Sequence, residues 1–335
     1  MAAGKGERLK GLTQSVPKAL VQIAGKTLIE HAVERFKKAQ ISNITIAIGW
    51  KSNMIRDAIL QLKHLTEIHI VEVTDYEIGP LQTLTTALDY IKGEAALVTP
   101  IDLIVSSEAL SKIVSSHSNN QEALVTLAID PKSPSGSPVS FDSSGRVLGI
   151  LKPEIDGPVA TSAMFMVTGS GFVRHCKTAL EQGATTAVSV LNTVIDEGHL
   201  VRSFSIDEKW FDLDTIQDIL NANRYCLESA FVQYQDAIFL HAGDTMEIGN
   251  PLNLDSGIEI GKGVCLKGPC LIDSGTQIGE DCIIGPYTSI GHGTIIGEQC
   301  EIVDATLFRN SHVPSHSRFH SIVMNDSTVF KSEVL

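Results

Sequence analysis

The chain has 335 residues, 43% of them hydrophobic, and a formal net charge of −13 at pH 7. This length exceeds what a single compact core usually holds, so we expect two domains. The acidic balance argues against nucleic acid or an anionic membrane surface as a partner, because both attract basic proteins.

The cysteines and the apolar runs indicate the compartment. The six cysteines include no CxxC pair and no Cys/His spacing typical of zinc sites, so we expect reduced thiols. No apolar run approaches the roughly 18 residues of a membrane span, and the N-terminus lacks the hydrophobic region of a signal peptide. These features predict a cytoplasmic protein.

Positive charge is concentrated at the start of the chain. Residues 1–26 have a local balance of 5 − 1 = +4, from Lys5, Arg8, Lys10, Lys18 and Lys26 against Glu7. A cationic segment in an acidic protein suits a small anionic ligand. Gly4 and Gly6 would let the backbone approach such a ligand without an intervening side chain.

From residue 27 onward, helical and strand patterns alternate. The apolar periodicity predicts helices at 27–39, 53–64 and 80–92, and strands at 43–49, 67–73 and 95–99. This order is typical of a doubly wound, mostly parallel sheet in an α/β domain.

An antiparallel insertion follows the alternating elements. Residues 138–153 read as a hairpin that turns on Ser143, Ser144 and Gly145. A strand at 161–167 and two helices up to about residue 197 come next, and a further helix is predicted from Thr215 to about Tyr234. Residues 236–257 show no helical period and contain glycine, proline and asparagine, so we expect a linker there.

Beyond residue 257 the apolar residues recur with a period of six. The large apolar positions are Ile260, Leu266, Ile272, Ile278, Ile284, Ile290, Ile296, Ile302 and Phe308. A small or branched residue stands two positions before each of them, and Cys270, Cys282 and Cys300 are among these. A three-sided parallel solenoid explains the period, with residues eighteen apart stacked about 4.8 Å from one another.

The glycines at the N-terminus do not fit two common phosphate-binding motifs. The dinucleotide fingerprint needs glycine where Leu9 stands, and the P-loop needs glycine where Leu20 stands. Instead, "AAGKGERLKGLTQSVPKALVQIAGKTLIEH" closely resembles the opening motif of the sugar-1-phosphate nucleotidylyltransferases, or NDP-sugar pyrophosphorylases. Weaker family-like stretches follow at "LVTPIDLIV", "SGSPVSFDSSGRVLGILKP" and "KWFDLDTIQDI", so the resemblance covers residues 1 to about 225.

The resemblance implies a fold for each part of the chain. Residues 1–235 would form a Rossmann-like nucleotidyltransferase domain. The period-six region is similar to the left-handed β-helix appended to many of these enzymes, so residues 236–335 would form an all-β domain with its linker at 236–257. The enzymes join a sugar 1-phosphate to a nucleoside triphosphate and release pyrophosphate, and this is the activity that the resemblance implies here.

Individual residues take on roles through the same resemblance. Arg8 would grip the departing pyrophosphate, and Lys18 would lie at the α-phosphate between the nucleophile and the leaving group. Gly136 and Lys152 would hold the sugar phosphate. The residues assigned to the nucleotide are Ala3, Gly4, Gly6, Gly79 and Thr83, although Gly79 could instead merely start a helix.

Two aspartates match the family's metal ligands. Asp102 in "PIDLI" and Asp212 in "WFDLD" would hold a divalent ion, and Mg²⁺ suits one or two carboxylates with phosphate oxygens completing its coordination. Asp214 is an alternative to Asp212, but it could simply cap the helix that starts at Thr215. No general base is required, because a phosphate monoester is already an anionic nucleophile at neutral pH.

Some positions depart from the family pattern. The family's glycine loop follows a central strand of some five apolar residues, whereas only Met1 precedes "AAGKG" here. We expect a coding start further upstream; if the strand is truly absent, a regulatory subunit that binds a nucleotide sugar without turnover is the alternative. Leu151 and Ile101 replace residues common in the family, which leaves the sugar open.

The tail suggests a third function and a mode of assembly. It resembles the end of the solenoid in bifunctional enzymes that also acetylate glucosamine 1-phosphate, and His312, His316 and His320 invite an acetyltransferase interpretation. UTP, dTTP and GTP remain candidate nucleotides, and the tail favours UTP. An uncapped solenoid end also predicts a homo-oligomer.

Overall fold

The helices and strands are given by a computed structural model, which describes residues 1–9, 11–62, 66–133, 136–152, 158–229 and 236–332. The helices are α1 Gly11–Ser15, α2 Leu28–Lys38, α3 Ser52–Leu62, α4 Pro80–Tyr90, α5 Ser107–Ser118, α6 Phe172–Glu181, α7 Ala187–Asp196 and α8 Ile216–Glu228. Short 3₁₀ turns lie at Glu7–Leu9, Lys18–Leu20 and Tyr76–Ile78.

The strands fall into two groups along the chain. Before residue 213 they are β1 Gln22–Ile23, β2 Lys26–Thr27, β3 Asn43–Ile48, β4 Glu67–Glu72, β5 Ala96–Val98, β6 Leu103–Ile104, β7 Val125–Asp130, β8 Pro138–Phe141, β9 Val147–Ile150, β10 Val159–Thr168, β11 Val201–Ser205 and β12 Phe211–Asp212. After it they are β13 Ile238–Leu240, β14 Thr245–Glu247, β15 Leu252–Asn253, β16 Glu259–Ile260, β17 Cys265–Lys267, β18 Cys270–Ile272, β19 Gln277–Ile278, β20 Ile283–Ile284, β21 Thr288–Ile290, β22 Ile295–Ile296, β23 Glu301–Leu307, β24 His312–Val313, β25 Arg318–Asn325 and β26 Thr328–Lys331.

Contacts divide the chain into two compact units. The first unit contains Met1–Lys5 and Ala32–Asp212, and the second contains Gly6–His31 and Leu213–Leu335. This division does not coincide with the boundary near residue 235 that the sequence suggests. The difference concerns residues 6–31 and helix α8. Their packing partners lie far along the chain, and the periodicity of the sequence does not predict such contacts.

The alternation of helices and strands predicted for residues 27–99 is confirmed. Helices α2, α3 and α4 and strands β3, β4 and β5 occupy the expected positions, and Pro80 opens α4, where its missing N–H costs no hydrogen bond. The predicted hairpin is also present as β8 and β9, with Gly145 at a φ of +81° donating its N–H to the Asp142 carbonyl at 3.0 Å.

The main sheet of the first unit has the order β11-β7-β10-β8-β9, with β5 paired to β10. Strand β7 is parallel to β11, whereas β10 is antiparallel to β5, β7 and β8. Both faces of this sheet are covered. Leu127 and Ile129 of β7 pack into a cluster with α4, α6 and α7, while Ala128 points into a second cluster with α5.

A cavity of about 350 Å³ lies between β3 and β5, and α4 contributes to its lining. Its wall includes most of both strands, which pair with β4 and β10 respectively but not with each other. At the mouth, the Ala2 N–H donates to the Ala47 carbonyl at 2.8 Å and the Met1 ammonium donates to the Thr99 carbonyl at 2.8 Å. This β3–β5 cavity occupies the place where the family's central strand was expected.

The ammonium group of Met1 is buried at this point, although the residue as a whole is partly exposed. Burial lowers the pKa of this amino group from 8.0 to about 6, and the Asp102 carboxylate opposes the shift only in part.

The period of six in the second unit produces the predicted stacks of parallel strands. Ile260, Ile278 and Ile296 are in register across β16, β19 and β22, and Leu266, Ile284 and Ile302 are in register across β17, β20 and β23. All nine small or branched positions that precede the large apolar residues are buried. The predicted parallel stacking of residues eighteen apart is therefore confirmed for these coils.

The third stack departs from the prediction in its last member. Ile272 pairs with Ile290 as expected, but Ile290 pairs with Leu307 rather than with Phe308. The two preceding coils turn this corner with Gly268-Pro269 and Gly285-Pro286, whereas the corner after Ile302 is one residue shorter. The register is seventeen from here on, although Phe308 is still buried.

Residues 236–257, which the sequence predicts to be a linker, contain regular secondary structure. Strands β13, β14 and β15 lie in this segment and pair antiparallel with β18, β17 and β16. They cover the first coil, which would otherwise present unpaired backbone groups. Helix α8 ends at Glu228, and the rest of the helix predicted up to Tyr234 falls in part at residues 230–234, which lie outside the described residues.

Asn223 of α8 is a fully buried polar side chain that joins three segments of the second unit. Its Oδ1 accepts from the Ala24 N–H at 2.9 Å and from the Ser289 hydroxyl at 2.8 Å, and its Nδ2 donates to the Tyr287 carbonyl at 3.2 Å. Such a satisfied buried amide fixes the N-terminal segment against α8 and the β21 rung.

All six cysteines are free thiols. Cys282 and Cys300 lie on successive rungs as predicted, and the Cys300 N–H donates to the Cys282 sulfur at 3.3 Å. Burial raises the pKa of the Cys282 thiol to about 11, which keeps it protonated and inert. None of the helices among the described residues is long and apolar enough to cross a lipid bilayer.

Candidate active site

Two carboxylates converge at the paired ends of β6 and β12. Leu103 lies opposite Asp212, and Ile104 lies opposite Phe211, in a short antiparallel ladder. Asp102 directly precedes β6, so the ladder brings it beside Asp212, and the two carboxylate groups offer oxygens within 4.8 Å of each other. Both residues are half-buried, whereas Leu103 and Ile104 are fully buried and anchor the pair.

The donor set of this pair fits a hard divalent cation. Carboxylate oxygens are the ligands that Mg²⁺ prefers, and one or two of them commonly hold the ion while water and phosphate oxygens complete its octahedron. Two negative charges at this separation repel each other, and a bound cation would offset that repulsion. The pair predicted from sequence as metal ligands is thus brought together by the fold.

Arg8 and Lys18, the two predicted catalytic cations, meet at a third carboxylate in the second unit. The Lys18 Nζ lies 3.1 Å from Asp214 Oδ1, and the Arg8 guanidinium pairs with Asp214 Oδ2. Lys18 is almost fully buried, while most of the Arg8 side chain is exposed. Asp214 therefore orients a buried ammonium and a solvent-facing guanidinium towards one point.

The interpretation of Asp214 as a helix cap is wrong. Thr215 is the N-cap of α8: its hydroxyl accepts from the Asp218 N–H, and the Asp218 carboxylate accepts from the Thr215 N–H at 2.8 Å. This capping box satisfies the first turn without Asp214. Sequence reasoning missed the contacts of Asp214 with Arg8 and Lys18, because these two cationic partners lie about two hundred positions away along the chain.

Gly6 is required by the packing around Lys18. Its φ is +66°, and a Cβ at this position would lie 3.1 Å from the Lys18 Cβ and 3.2 Å from the Thr13 Cγ2. The Thr13 hydroxyl donates to the Gly6 carbonyl at 2.8 Å and fixes the turn. A Cβ at Gly4, by contrast, would meet nothing within 4 Å, so there is open space beside this glycine.

Ala3 and Lys5 belong to the first unit. Ala3 is buried, and its carbonyl accepts from the Trp50 N–H at 2.9 Å. The Lys5 ammonium lies 2.6 Å from Glu77 and 5.7 Å from the centroid of the Trp50 ring. The hydrogen bond and charge of Lys5 lower the pKa of the Glu77 carboxyl. Trp50 is a residue near the glycine segment that sequence reasoning did not single out.

Gly79 and Thr83 have structural explanations within the first unit. Gly79 has a φ of +141° and precedes α4, and a Cβ there would lie 2.7 Å from the Thr185 carbonyl oxygen. Thr83 is buried on α4. Gly79 therefore does start a helix, which is one of its two predicted roles, and contact with a nucleotide stays a prediction for both residues.

Lys152 pairs with an acidic residue that the sequence did not indicate. Its Nζ lies 2.8 Å and 2.9 Å from the two carboxylate oxygens of Asp196, and its side chain is only partly exposed. Gly136 is exposed, has a φ of +122° and lies so close to Thr161 that any Cβ would collide with that side chain. Lys152 is thus paired with the last residue of α7, and its contact with a sugar phosphate stays a prediction.

The three C-terminal histidines are all exposed. His312 lies on β24, His316 lies in a turn with a φ of +65°, and His320 lies on β25 with its Nε2 at 3.5 Å from Glu301. They follow one another around the last coil on different elements.

Comparison with known proteins identifies the class. The profile of the family described as Nucleotidyl transferase matches residues 1–229, and that of the GMPPB C-terminal domain matches residues 266–334. This α/β domain, in which Asp102 and Asp212 come together at the ends of paired strands, is therefore a nucleotidyltransferase domain. The chain belongs to the nucleotidyl transferase family.

Individual relatives agree with this assignment. The chain is 25% identical to the "Bifunctional protein GlmU" of Methanococcus maripaludis, with 68% of this chain and 53% of that protein covered. It is 26% identical to the "Bifunctional sugar-1-phosphate nucleotidylyltransferase/acetyltransferase" of Sulfurisphaera tokodaii, with 68% and 55% covered. The chain thus spans little more than half the length of these two relatives.

A solved structure shares the fold. The crystal structure of an apo UDP-glucose pyrophosphorylase superposes with a TM-score of 0.57 at 17% identity, and the likeness covers 67% of this chain and 95% of the other. The predicted Rossmann-like nucleotidyltransferase fold is therefore confirmed.

Proposed function

We propose that this protein is a Mg²⁺-dependent sugar-1-phosphate nucleotidylyltransferase, which joins a sugar 1-phosphate to a nucleoside triphosphate and releases pyrophosphate. The observation that carries the proposal is the convergence of Asp102 and Asp212, whose carboxylates lie close enough to share one cation. Mg²⁺ would neutralise charge on the phosphate oxygens and help to orient them.

The reaction needs positioning and charge rather than a proton acceptor. A phosphate oxygen of the sugar phosphate forms a bond to the α-phosphorus, the bond from that phosphorus to the bridging oxygen breaks, and pyrophosphate leaves with the electron pair. The nucleophile is already an anion at neutral pH. Mutual repulsion between the two anionic substrates is the main obstacle to their reaction.

Lys18 and Arg8 would offset that repulsion. Asp214 holds both cations, and it follows Asp212 by two residues, so covalent geometry limits the distance between the two Cα atoms to about 7 Å. The buried ammonium of Lys18 suits the α-phosphate, because a charge shielded from water interacts strongly. The exposed fork of Arg8 suits the pyrophosphate, which must leave.

The glycine segment and Lys152 would complete substrate binding. Open space beside Gly4 lets backbone N–H groups approach the triphosphate. The Lys152 ammonium would give up its contact with Asp196 and bind the sugar phosphate instead. We expect Ala3, Gly79 and Thr83 to lie near the nucleotide and Gly136 to lie near the sugar phosphate, as the resemblance implies.

A substrate panel tests the proposal. The protein is incubated with Mg²⁺, each nucleoside triphosphate in turn and a set of sugar 1-phosphates, and pyrophosphate release is followed. We expect release with one nucleotide and a narrow set of sugars, with UTP the first candidate, and complete loss in excess EDTA. Absence of release with every pair would reject the proposal.

The second candidate is a subunit that binds a nucleotide sugar without turnover. Strands β3 and β5 both line the cavity, but they pair with β4 and β10 rather than with each other. Equilibrium binding of nucleotide sugars distinguishes the two functions: saturable binding together with a silent substrate panel supports the subunit, and turnover excludes it.

A further inference from the structure

We propose that His175, Glu197 and His199 form a binding site for a first-row transition metal ion, with Zn²⁺ as the expected ligand. The site lies in the first unit and is built by α6 and by the end of α7, elements that contribute neither Asp102 nor Asp212. It is therefore a second metal site with softer ligands than the carboxylate pair.

The distances between the donor atoms match a tetrahedral ion. His175 Nδ1 lies 3.3 Å from Glu197 Oε2, and His199 Nε2 lies 3.8 Å from the same oxygen. Bonds of about 2.05 Å from zinc to nitrogen or oxygen place tetrahedral ligands about 3.3 Å apart. All three donor atoms fall within 4.8 Å of one another, so small rotations of exposed side chains close the site.

The two imidazole rings lie next to each other in an edge-to-face arrangement. Their centroids lie 4.7 Å apart with an interplanar angle of 74°. The neutral form of imidazole is the one that binds metal. With neutral rings and an ionised glutamate the donor set carries one negative charge.

The backbone fixes Glu197 and His199 in a defined helix ending. Gly198 has a φ of +87° and donates to the Ile195 carbonyl at 3.0 Å, while the His199 N–H donates to the Val194 carbonyl at 2.9 Å. These two bonds form a Schellman motif, which is the common way to terminate a helix. The motif places the two side chains on either side of a glycine, and α6 supplies the third ligand.

The charged residues next to this site have other partners. The Asp196 carboxylate is paired with Lys152, and the Arg146 guanidinium donates to the Gly198 carbonyl at 3.3 Å. His175 is three-quarters buried, whereas about half of Glu197 and of His199 is exposed, so an ion has access from solvent and one firmly positioned ligand. The fourth position would be taken by water.

This donor set discriminates between metals. Imidazole nitrogen suits zinc, copper and nickel, whereas Mg²⁺ prefers oxygen ligands. Saturating Mg²⁺ would therefore occupy the carboxylate pair and leave the histidine site free. Binding of Zn²⁺ would tie α6 to the end of α7, which makes the ion a structural clip or a means of regulation by zinc.

The test is a metal titration of the full chain. Protein stripped with chelator is titrated with Zn²⁺ by calorimetry and with Co²⁺ by visible absorption, both in excess Mg²⁺. We expect one equivalent to bind at the histidine site, with the ligand-field bands of nitrogen and oxygen donors and without thiolate charge-transfer bands. Because changes beyond the first coordination sphere already cost ten- to a hundredfold in affinity, we expect His175→Ala and His199→Ala each to cost at least about tenfold.

A matched control is available on β4. His69 Nε2 lies 3.3 Å from Glu67 Oε1, the same distance as in the proposed site, but without a second histidine ligand grouped with it among the described residues. His69→Ala should leave affinity and stoichiometry unchanged. Zn²⁺ should also raise the Tm of the wild-type chain and not that of the His175→Ala/His199→Ala double variant, whose fold is checked by circular dichroism.

Two results would overturn the proposal. One is the absence of tight Co²⁺ and Zn²⁺ binding to the stripped wild-type chain. The other is binding by the double variant with wild-type affinity and stoichiometry, which would assign the ion to other ligands. Neither outcome depends on catalytic activity, so the failure of this site and the failure of the proposed enzyme function are distinguishable.

Discussion

Asp102 and Asp212 offer carboxylate oxygens within 4.8 Å of each other at the paired ends of β6 and β12. Two negative charges at this distance in a half-buried setting are unfavourable unless a cation accompanies them. Packing alone does not explain the two carboxylates, because buried residues such as Leu103 and Ile104 are enough to pack this short ladder.

Removal of either carboxylate should strongly reduce metal-dependent turnover. We expect Asp102→Asn and Asp212→Asn each to lower kcat by about a hundred- to a thousandfold, the scale of losing one preorganised charge contact in a transition state. Steady-state pyrophosphate release across a Mg²⁺ series measures the effect. Asp207→Asn is the control, because Asp207 pairs with Lys132 on the surface; a similar loss in that variant would contradict the assignment.

Asp214→Asn should reduce both stability and activity. The substitution removes an ion pair from the nearly buried Lys18, and a hydrogen bond to a charged group contributes about 1.5–3 kcal/mol. Urea unfolding should show a loss of this size, while Asp207→Asn should change stability by less than about 1 kcal/mol. If the two variants lose equal stability, Asp214 does not anchor the cations.

Gly6→Ala should cost more stability than Gly183→Ala or Gly4→Ala. The new Cβ meets Lys18 and Thr13 and also occupies a positive φ, which by itself costs about 1–2 kcal/mol. Gly183→Ala isolates the cost of φ, since φ is +86° there and nothing lies within 4 Å. We expect unfolding free energies to fall most in Gly6→Ala, less in Gly183→Ala and least in Gly4→Ala, with activity lost in the first because Lys18 moves.

In a chain prepared to begin at Met1, the Met1 amino group should make stability depend on pH between 6 and 8. Its pKa is about 6 in the folded chain and near 8 when exposed, so the unfolded chain takes up a proton over this range and the folded chain does not. Stability should fall as pH is lowered from 8 to 6, by up to about 2–3 kcal/mol, and change no further from this group below pH 6. Chemical unfolding at a series of pH values measures it.

Acetylation of the amino group provides the control for that measurement. The acetylated chain cannot be protonated at this position, while His117, whose pKa burial also lowers, titrates in both samples. Subtracting one pH profile from the other therefore isolates Met1. Identical profiles would show that the ammonium is not buried in solution.

An apolar extension before Met1 should fill the β3–β5 cavity. Five residues such as KAIIL, joined to Met1, would run between two strand edges that now lack a common neighbour. Burial of three large apolar side chains should raise Tm by on the order of 5 °C or more. A flexible extension such as GSGSG serves as the control; if both extensions act alike, the cavity does not accept a strand.

The sequence predicted elements whose pattern is local. The alternation from residue 27 to residue 99 and the hairpin at Gly145 follow from apolar spacing and turn residues, so they could be located without coordinates. By resemblance, the opening motif indicated Arg8 and Lys18, and the stretches "PIDLI" and "WFDLD" indicated Asp102 and Asp212. In contrast, the sequence offered Asp214 only as a metal ligand or a helix cap, because nothing in the neighbourhood of Thr215 records that Lys18 and Arg8 approach from elsewhere.

The solenoid shows both sides of this limit within one domain. Each hexad repeats the same backbone turn, so a strict period of six specifies the stacks at Ile260 and Leu266 directly. The pairing of Ile290 with Leu307 was missed, because the length of a corner depends on how Asp304 and its neighbours turn against the coil below. A periodic sequence therefore determines the register only while every corner has the same length.

By itself, then, the sequence determined the order of elements, the repeat and the motif at residues 2–31, since these depend on neighbours along the chain. Only the tertiary structure decided which distant side chains meet: the Asp102 and Asp212 carboxylates, the cations at Asp214, the histidines with Glu197 and the cavity beside β3. The physical reason is that charge, burial and coordination act through space. Residues far apart in sequence come within bonding distance only after the backbone ladders have fixed their positions.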